Sequence, residues 1–411
     1  MGSHCTFVSA TSQYRPLVRC IAVLVTWLSV AVPPASSQQP EHKSGDSDRV
    51  QRDAHRTDAG AHPQGITVTL AAVGDLLLHG RLQRFAYGQE TGFRALMTQM
   101  APFLSSADVT YGNLEGPTAR GVRRGGRAVT DPGVRFDDVV YTSYPTFNSH
   151  PRLISDLNAL GFDVLSTANN HALDRRSLGV DRTLDALAEE GIAVTGTRRR
   201  GRDDETWHTV VNVRGVRIAF LSCAHHTNQI PDRYEQVLFC FQRPRQVTDL
   251  VTEIAARDDV DVVVVTPHWG RESELRPSPR QRRYARRWIE AGAMVVLGSH
   301  PHVLQPWERY VSSDGREGFI AYSLGNFISG MEGRGNRHAI VLTLELRVSR
   351  VGTVSVGRAR FTPAWMRLSR GNFGLERLGP TGPMKRHFKA ITALYGEENL
   401  LSSPLVAAHP F

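Results

Sequence analysis

Five apolar, β-branched runs in this chain each end on side chains that bind metals or move protons. "ITVTLAAVGDLLLHG" delivers Asp75, with His79 four residues on. "ADVTYGNLEG" delivers Asn113 and Glu115, and "FDVLSTANNHALD" delivers Asn169, Asn170, His171 and Asp174. "VDVVVVTPHWG" ends on His268 and "AMVVLGSHPH" on His300 and His302. Singly, each has a bland explanation: an Asp after a strand is commonly a turn residue, and an Asn before a helix commonly caps it. Together they constrain the fold. Strands alternating with helices predict a parallel sheet, and such sheets carry their chemistry beyond the carboxyl ends of the strands. An edge lined with Asp, Glu, Asn and His is a site for a divalent cation.

The intervening segments fit this reading. "PRLISDLNALG", "LGVDRTLDALAEEG", "QVTDLVTEIAARD" and "SPRQRRYARRWIEAG" have helical spacing, as does "GFRALMTQMAPFL". "HTVVNVRGVRIAFLSC" reads as a hairpin around Arg214 and Gly215. "EGFIAYSLGNF", "HAIVLTLELRVSR" and "VGTVSVGRARFTPAWMRL" read as successive strands. The expected class is α/β with mixed sheets and a strand-rich C-terminal part. Residues 66–348 form the expected main domain. Residues 349–411 are a strand and helix extension packing on it, the helix being "GPMKRHFKAITALYG".

The N-terminus has another character. Arg15 and Arg19 precede an uncharged run, "CIAVLVTWLSVAV", followed by "PPASSQQ". That order predicts a secretory signal over residues 1–37, since a membrane span needs about 20 apolar residues. Residues 38–65 have almost no large apolar side chains and are expected to be a disordered linker. The chain is thus expected to be exported, periplasmic or extracellular, with membrane association through an uncleaved segment as the variant. Cys223 and Cys240 are expected to pair as a disulfide, the alternative being two buried thiols.

The net charge of +9 and pI of about 9.7 point to anionic partners. No RNA-recognition or zinc-finger pattern is present, so nucleic acid is not expected. There is no Gly-x-Ser-x-Gly elbow and no Walker or dinucleotide fingerprint, which excludes an ordinary serine hydrolase and ATP use. The basic runs 118–127, 197–202 and 276–287 are solvated faces or an anionic-polymer surface. His225 and His226 either face solvent or line the cleft.

The motifs "VGDLLLHG", "NLEGP", "ANNHALD", "TPHWG", "GSHPHVLQP" and "YSLGNF" occur in this order over residues 70–327. They resemble the CapA family, which is tied to synthesis and export of capsular poly-γ-glutamate and is itself similar to calcineurin-like metallophosphoesterases. The resemblance implies a four-layer α/β/β/α sandwich with a site for one or two divalent ions between the sheets, manganese, iron or zinc suiting the mixed N/O ligands. By position it implies Asp75, Glu115, Asn170, His268, His300 and His302 as metal ligands. His171 stands as the acid facing a leaving group and Asp174 as the group that orients it. One departure matters: the phosphoesterase pattern has Asp-x-His at the first strand, and here that histidine is Leu77.

Two functions stay open on this reading. One is a metal-dependent hydrolase acting on a phosphate ester or envelope polymer. The other is a non-catalytic subunit that binds and guides an anionic polymer, such as poly-γ-glutamate, beside membrane-bound synthase or export subunits.

Overall fold

The computed structural model describes residues 65–405 except Pro244 and Arg370; the expected signal segment, and all of the linker but residue 65, lie outside the described residues. In chain order the strands are β1 (Ile66–Leu77), β2 (Val109–Leu114), β3 (Val122–Arg123), β4 (Arg127–Ala128), β5 (Val164–Ser166), β6 (Ala193–Thr195), β7 (His208–Val213) and β8 (Val216–Ala224). They continue with β9 (Val262–His268), β10 (Val295–Leu297), β11 (Trp307–Val311), β12 (Glu317–Ala321), β13 (Asn326–Ser329), β14 (His338–Val348), β15 (Val354–Ser369) and β16 (Asn372–Arg377). The helices are α1 (Gly80–Tyr87), α2 (Ala101–Ser105), α3 (Arg152–Ala159), α4 (Arg176–Glu189), α5 (Gln246–Ala255), α6 (Pro279–Glu290) and α7 (Lys385–Tyr395).

Two sheets result. The first runs β16-β15-β14-β1-β2-β5-β6, with β13 paired to the end of β1; the second runs β11-β12-β10-β9-β8-β7. The centres are parallel: β1, β2, β5 and β6 in the first, β8, β9, β10 and β12 in the second. Antiparallel pairs form both edges of the second sheet, β11–β12 and β7–β8 around Arg214 and Gly215, and the β15–β16 edge of the first.

Side-chain alternation along the strands sorts the apolar residues into layers. Val68, Leu70 and Ala72 of β1 face Phe220, Val262, Val264 and Val295 across the sheet–sheet core. Ala71 and Val73 point the other way, onto Leu82, Phe93, Leu157 and Leu187. On the far side of the second sheet, Val263 and Val265 pack on Val251, Ile254 and Trp288. Helix, sheet, sheet, helix is therefore the order of layers. Strands β9 and β2 are buried on both faces, which explains why they read as unbroken apolar runs.

Local signals set the helices. Ser278 caps α6 in a reciprocal box with Gln281, and Pro279 occupies the first turn. The segment 92–104, expected as one helix, is instead a 3-10 turn (Gly92–Leu96) and the start of the short α2; Pro102 is tolerated only in a first helical turn, so the chain restarts there. In the 349–411 region β15 and β16 extend the first sheet and α7 sends Phe388, Ile391 and Tyr395 into the sheet–sheet core.

Candidate metal centre

The ligand-type side chains come from both sheets and meet at one place. Asp75, fully buried on β1, accepts from Asn113 Nδ2 on Oδ1 (2.8 Å) and faces His302 Nδ1 with Oδ2 (3.1 Å). Glu115, one residue past β2, lies 3.4 Å from His268 Nε2 and 3.7 Å from His302 Nε2. His268 ends β9; its Nε2 is 2.9 Å from Asn170 Oδ1 and 3.1 Å from His300 Nδ1. His302 Nδ1 also lies 2.9 Å from Asn326 Oδ1, so "SLGNF" reaches the site. All six residues expected as ligands are buried and adjoin one another.

This cluster fits a divalent cation. Both oxygens of Glu115 are buried without a hydrogen-bond partner among the described residues, and an unpartnered buried carboxylate is costly. The facing nitrogens of His268 and His300 can share only one proton between them. Asp75, Glu115 and His302 offer ligand atoms within 4.8 Å of one another, and so do Glu115, His268 and His300. Glu115 is common to both groups, which is the placement a bridging carboxylate needs. Here the ion would supply Lewis acidity and the positive charge that the residues otherwise lack.

Charge distribution follows from burial. Burial and the Asp75 charge push the Glu115 carboxyl up to about 8. Burial pushes His268 down to about 3. Burial likewise opposes charge on His302, yet Glu115 and Asp75 draw it up to about 10. Protons on Glu115 and His302 thus neutralise the cluster, and cation binding would displace them.

The backbone is shaped for close approach. His300 (φ 92°) and His302 (φ 57°) both occupy left-handed space on either side of Pro301. Non-glycine residues are held there only where surrounding structure dictates it. Asp75 N donates to Gly325 O (2.9 Å), and a Cβ on Gly74 would lie 1.9 Å from that oxygen. Gly74→Ala is expected to force β1 from β13 and cost about 1–3 kcal/mol, read as a lower urea midpoint, with reduced metal uptake because Asp75 moves with it.

His171 stands beside the ligands. Its Nδ1 is 2.8 Å from Asp174 Oδ2, which also accepts from Phe147 N at 2.6 Å. Burial favours a neutral ring, but the Asp174 hydrogen bond and charge, with Glu115, outweigh it and raise the pKa above its ordinary value. Orientation through Nδ1 leaves Nε2 as the group able to give a proton.

The Cys223–Cys240 disulfide is formed and brackets a strap across the site. From the strap, Asn228 Oδ1 accepts from Asn170 Nδ2 (3.3 Å), and the His226 ring lies 5.4 Å from the His300 ring. His225 turns away onto Phe241. His79 contacts Gly330 N through Nδ1 and is in none of the metal-type groups among the described residues. Glu272 is in one, with His300 and His302. It follows "PHWG" at a strand end, a signal of the kind used for the other ligands; Asn228, inside the strap, had none.

Each basic run commits some of its arginines to local pairs. Arg124 meets Asp138, Arg198 meets Asp203 and stacks on Trp207, and Arg286 meets Glu308. Arg176 and Arg233 differ: both are exposed and, with Leu173 and Tyr234, line a cavity of ≈ 490 Å³.

A two-sheet α/β sandwich whose strand ends gather carboxylate, amide and imidazole ligands into one buried cluster is the class of protein defined by this geometry. The chain belongs to the family described as bacterial capsule synthesis protein PGA_cap, which matches residues 69–331. It is 28% identical over 287 residues to the capsule biosynthesis protein CapA of Bacillus anthracis, covering 66% of this chain and 63% of that protein. With the PGA biosynthesis protein CapA of Bacillus subtilis (strain 168) it shares 26% identity over 285 residues, covering 69% of each. Among solved structures, the NAD nucleotidase of Haemophilus influenzae aligns with TM-score 0.43 at 11% identity, over 82% of this chain and 57% of that one.

Proposed function

We propose that this chain is an exported envelope protein that acts on an anionic capsular polymer of poly-γ-glutamate type, as a metal-dependent hydrolase. The observation that carries this reading is the buried Glu115, without a hydrogen bond at either oxygen, shared by two histidine-bearing ligand groups near the His171–Asp174 pair. The family and the names of the relatives, both concerned with capsule or PGA biosynthesis, support the polymer. The bond cleaved is a phosphate ester or a linkage of the polymer. Asp75, Glu115, Asn170, His268, His300 and His302 hold the ion; His171 gives a proton to the leaving group and Asp174 orients it. The partners are the polymer and membrane-bound synthase or export subunits. Among the described residues no helix is long and apolar enough to cross a membrane.

A second reading is a polymer-guiding subunit without turnover. Leu77, where a histidine ligand stands in the phosphoesterase pattern, favours it, as does the cavity with Arg176 and Arg233. One experiment separates the two. Metal-loaded 38–411 is assayed for hydrolysis of phosphate esters and of poly-γ-glutamate, beside Asn170→Ala and the double variant Arg176→Ala/Arg233→Ala. The hydrolase reading expects turnover lost in Asn170→Ala with polymer binding kept, and weaker polymer binding in the arginine variant. Polymer binding without turnover in the metal-loaded wild type would establish the subunit reading instead.

A further inference from the structure

Glu272 is an exposed residue on the loop that follows His268, yet it is placed with care. Ser273 N donates to Pro301 O (2.8 Å), which ties this loop to the turn carrying His300 and His302. Buried Gln305 donates to Glu274 O (2.7 Å), which fixes the loop from its other side. Between these anchors, the Glu272 carboxylate and ring nitrogens of His300 and His302 all fall within 4.8 Å of one another. Among the described residues Glu272 has no hydrogen bond or ion pair. It faces the two imidazoles without bonding either.

Such gaps suit an intervening ion, because two metal–ligand bonds of roughly 2.1 Å each span distances of this order. The His302 side of the centre is also the side in need of a ligand. Asp75 and Glu115 serve it, but two residues beyond Asp75 stands apolar, buried Leu77. Counting charge, Asp75, Glu115 and Glu272 bring three carboxylates, more than one divalent ion neutralises.

Resting on the metal reading above, we propose that Glu272 is a ligand for a second divalent cation, bound with His302 and bridged by Glu115 to the ion at His268. Asp75, Glu115 and His302 meet within 4.8 Å, and Glu272 joins that position through His302, with which it meets His300; a set so rich in carboxylates suits hard cations such as Mn²⁺. The other position, with His268, His300 and Asn170, is richer in nitrogen.

The test is titration of metal-stripped 38–411 with Mn²⁺ alone, followed by calorimetry and checked by elemental analysis. Wild type is expected to take up two equivalents. Glu272→Gln is expected to keep one and to bind the other at least about tenfold more weakly; Glu272→Asp should recover part of the loss. Glu274→Gln, one turn of loop away, should behave as wild type. Two equivalents held with unchanged affinity in Glu272→Gln overturn the role of Glu272 and leave the metal reading standing. So does a single equivalent in wild type. No uptake by wild type overturns both.

Discussion

Glu115→Gln is expected to abolish cation binding and, in the same stroke, to stabilise the metal-free protein at and above neutral pH. In the folded chain the Glu115 carboxyl titrates near 8 because it is buried beside Asp75, well above its ordinary value of 4.5. A carboxyl raised on folding contributes stability that is fully present below its unfolded value and is lost as pH rises through the folded one. Metal-free wild type should therefore weaken progressively between about pH 4.5 and 8, as a charge is forced onto a buried group with no hydrogen-bond partner. Glutamine has no charge to expose, so this slope should flatten in the variant. Adding metal reverses the ranking. At a hundredfold excess over Kd, a ligand that binds only the folded state adds about 2.7 kcal/mol, which wild type gains and the variant does not. Thermal melts across pH, with and without Mn²⁺, check both halves. A variant that keeps its metal and the wild-type pH profile would refute the bridging role.

His171→Ala should show the opposite signature, with metal content intact and turnover lost. A positioned general acid contributes about 10²–10⁴-fold, and His171, adjacent to Asn170 in the chain and electrostatically coupled to Glu115, is in none of the ligand groups among the described residues. On the hydrolase reading, elemental analysis beside initial rates on a substrate turned over by wild type separates this outcome from a collapsed site. Asp174→Asn gives a finer test. The Asp174 charge is among the causes that hold the His171 pKa above its ordinary value, so removing it lowers that pKa. An acid must be protonated to act, so the basic limb of the pH–rate profile should move to lower pH in Asp174→Asn. An unmoved limb would assign Asp174 to holding the Phe147 backbone, which it also contacts.

What could be read from the sequence divides along physical lines. Strands β1, β2, β5, β9 and β10 were legible because their buried faces leave unbroken apolar runs, and the residues after them advertise their chemistry. Convergence of Asp75, Glu115, Asn170, His268, His300 and His302 follows from parallel topology, which any reading of the strand and helix order provides. Less was visible where tertiary packing overrides local pattern. β11, "WERYV", with two charged residues among five, and β16, "NFGLER", carry little strand signal and form because neighbours supply ladders. Asn228 reaches Asn170 only because the strap folds back, and no local rule places it. Glu272 was missed for another reason. Its position after "PHWG" was plain, but an acidic residue on a surface loop draws no notice until the turn beneath it is seen.

The bond between Cys223 and Cys240 gives the site a dependence on address. The strap bearing His226 and Asn228 is bracketed by that bond, which adds to the backbone hydrogen bonds Ala224 N to Leu238 O and Cys240 N to Ala224 O at its ends. Thiols stay free where glutathione and thioredoxin work and join where they do not. A copy held in reducing surroundings would therefore keep its strap by backbone bonds alone, and one in oxidising surroundings would hold it covalently as well. The redox state of the compartment would then set how firmly the strap is held over the site.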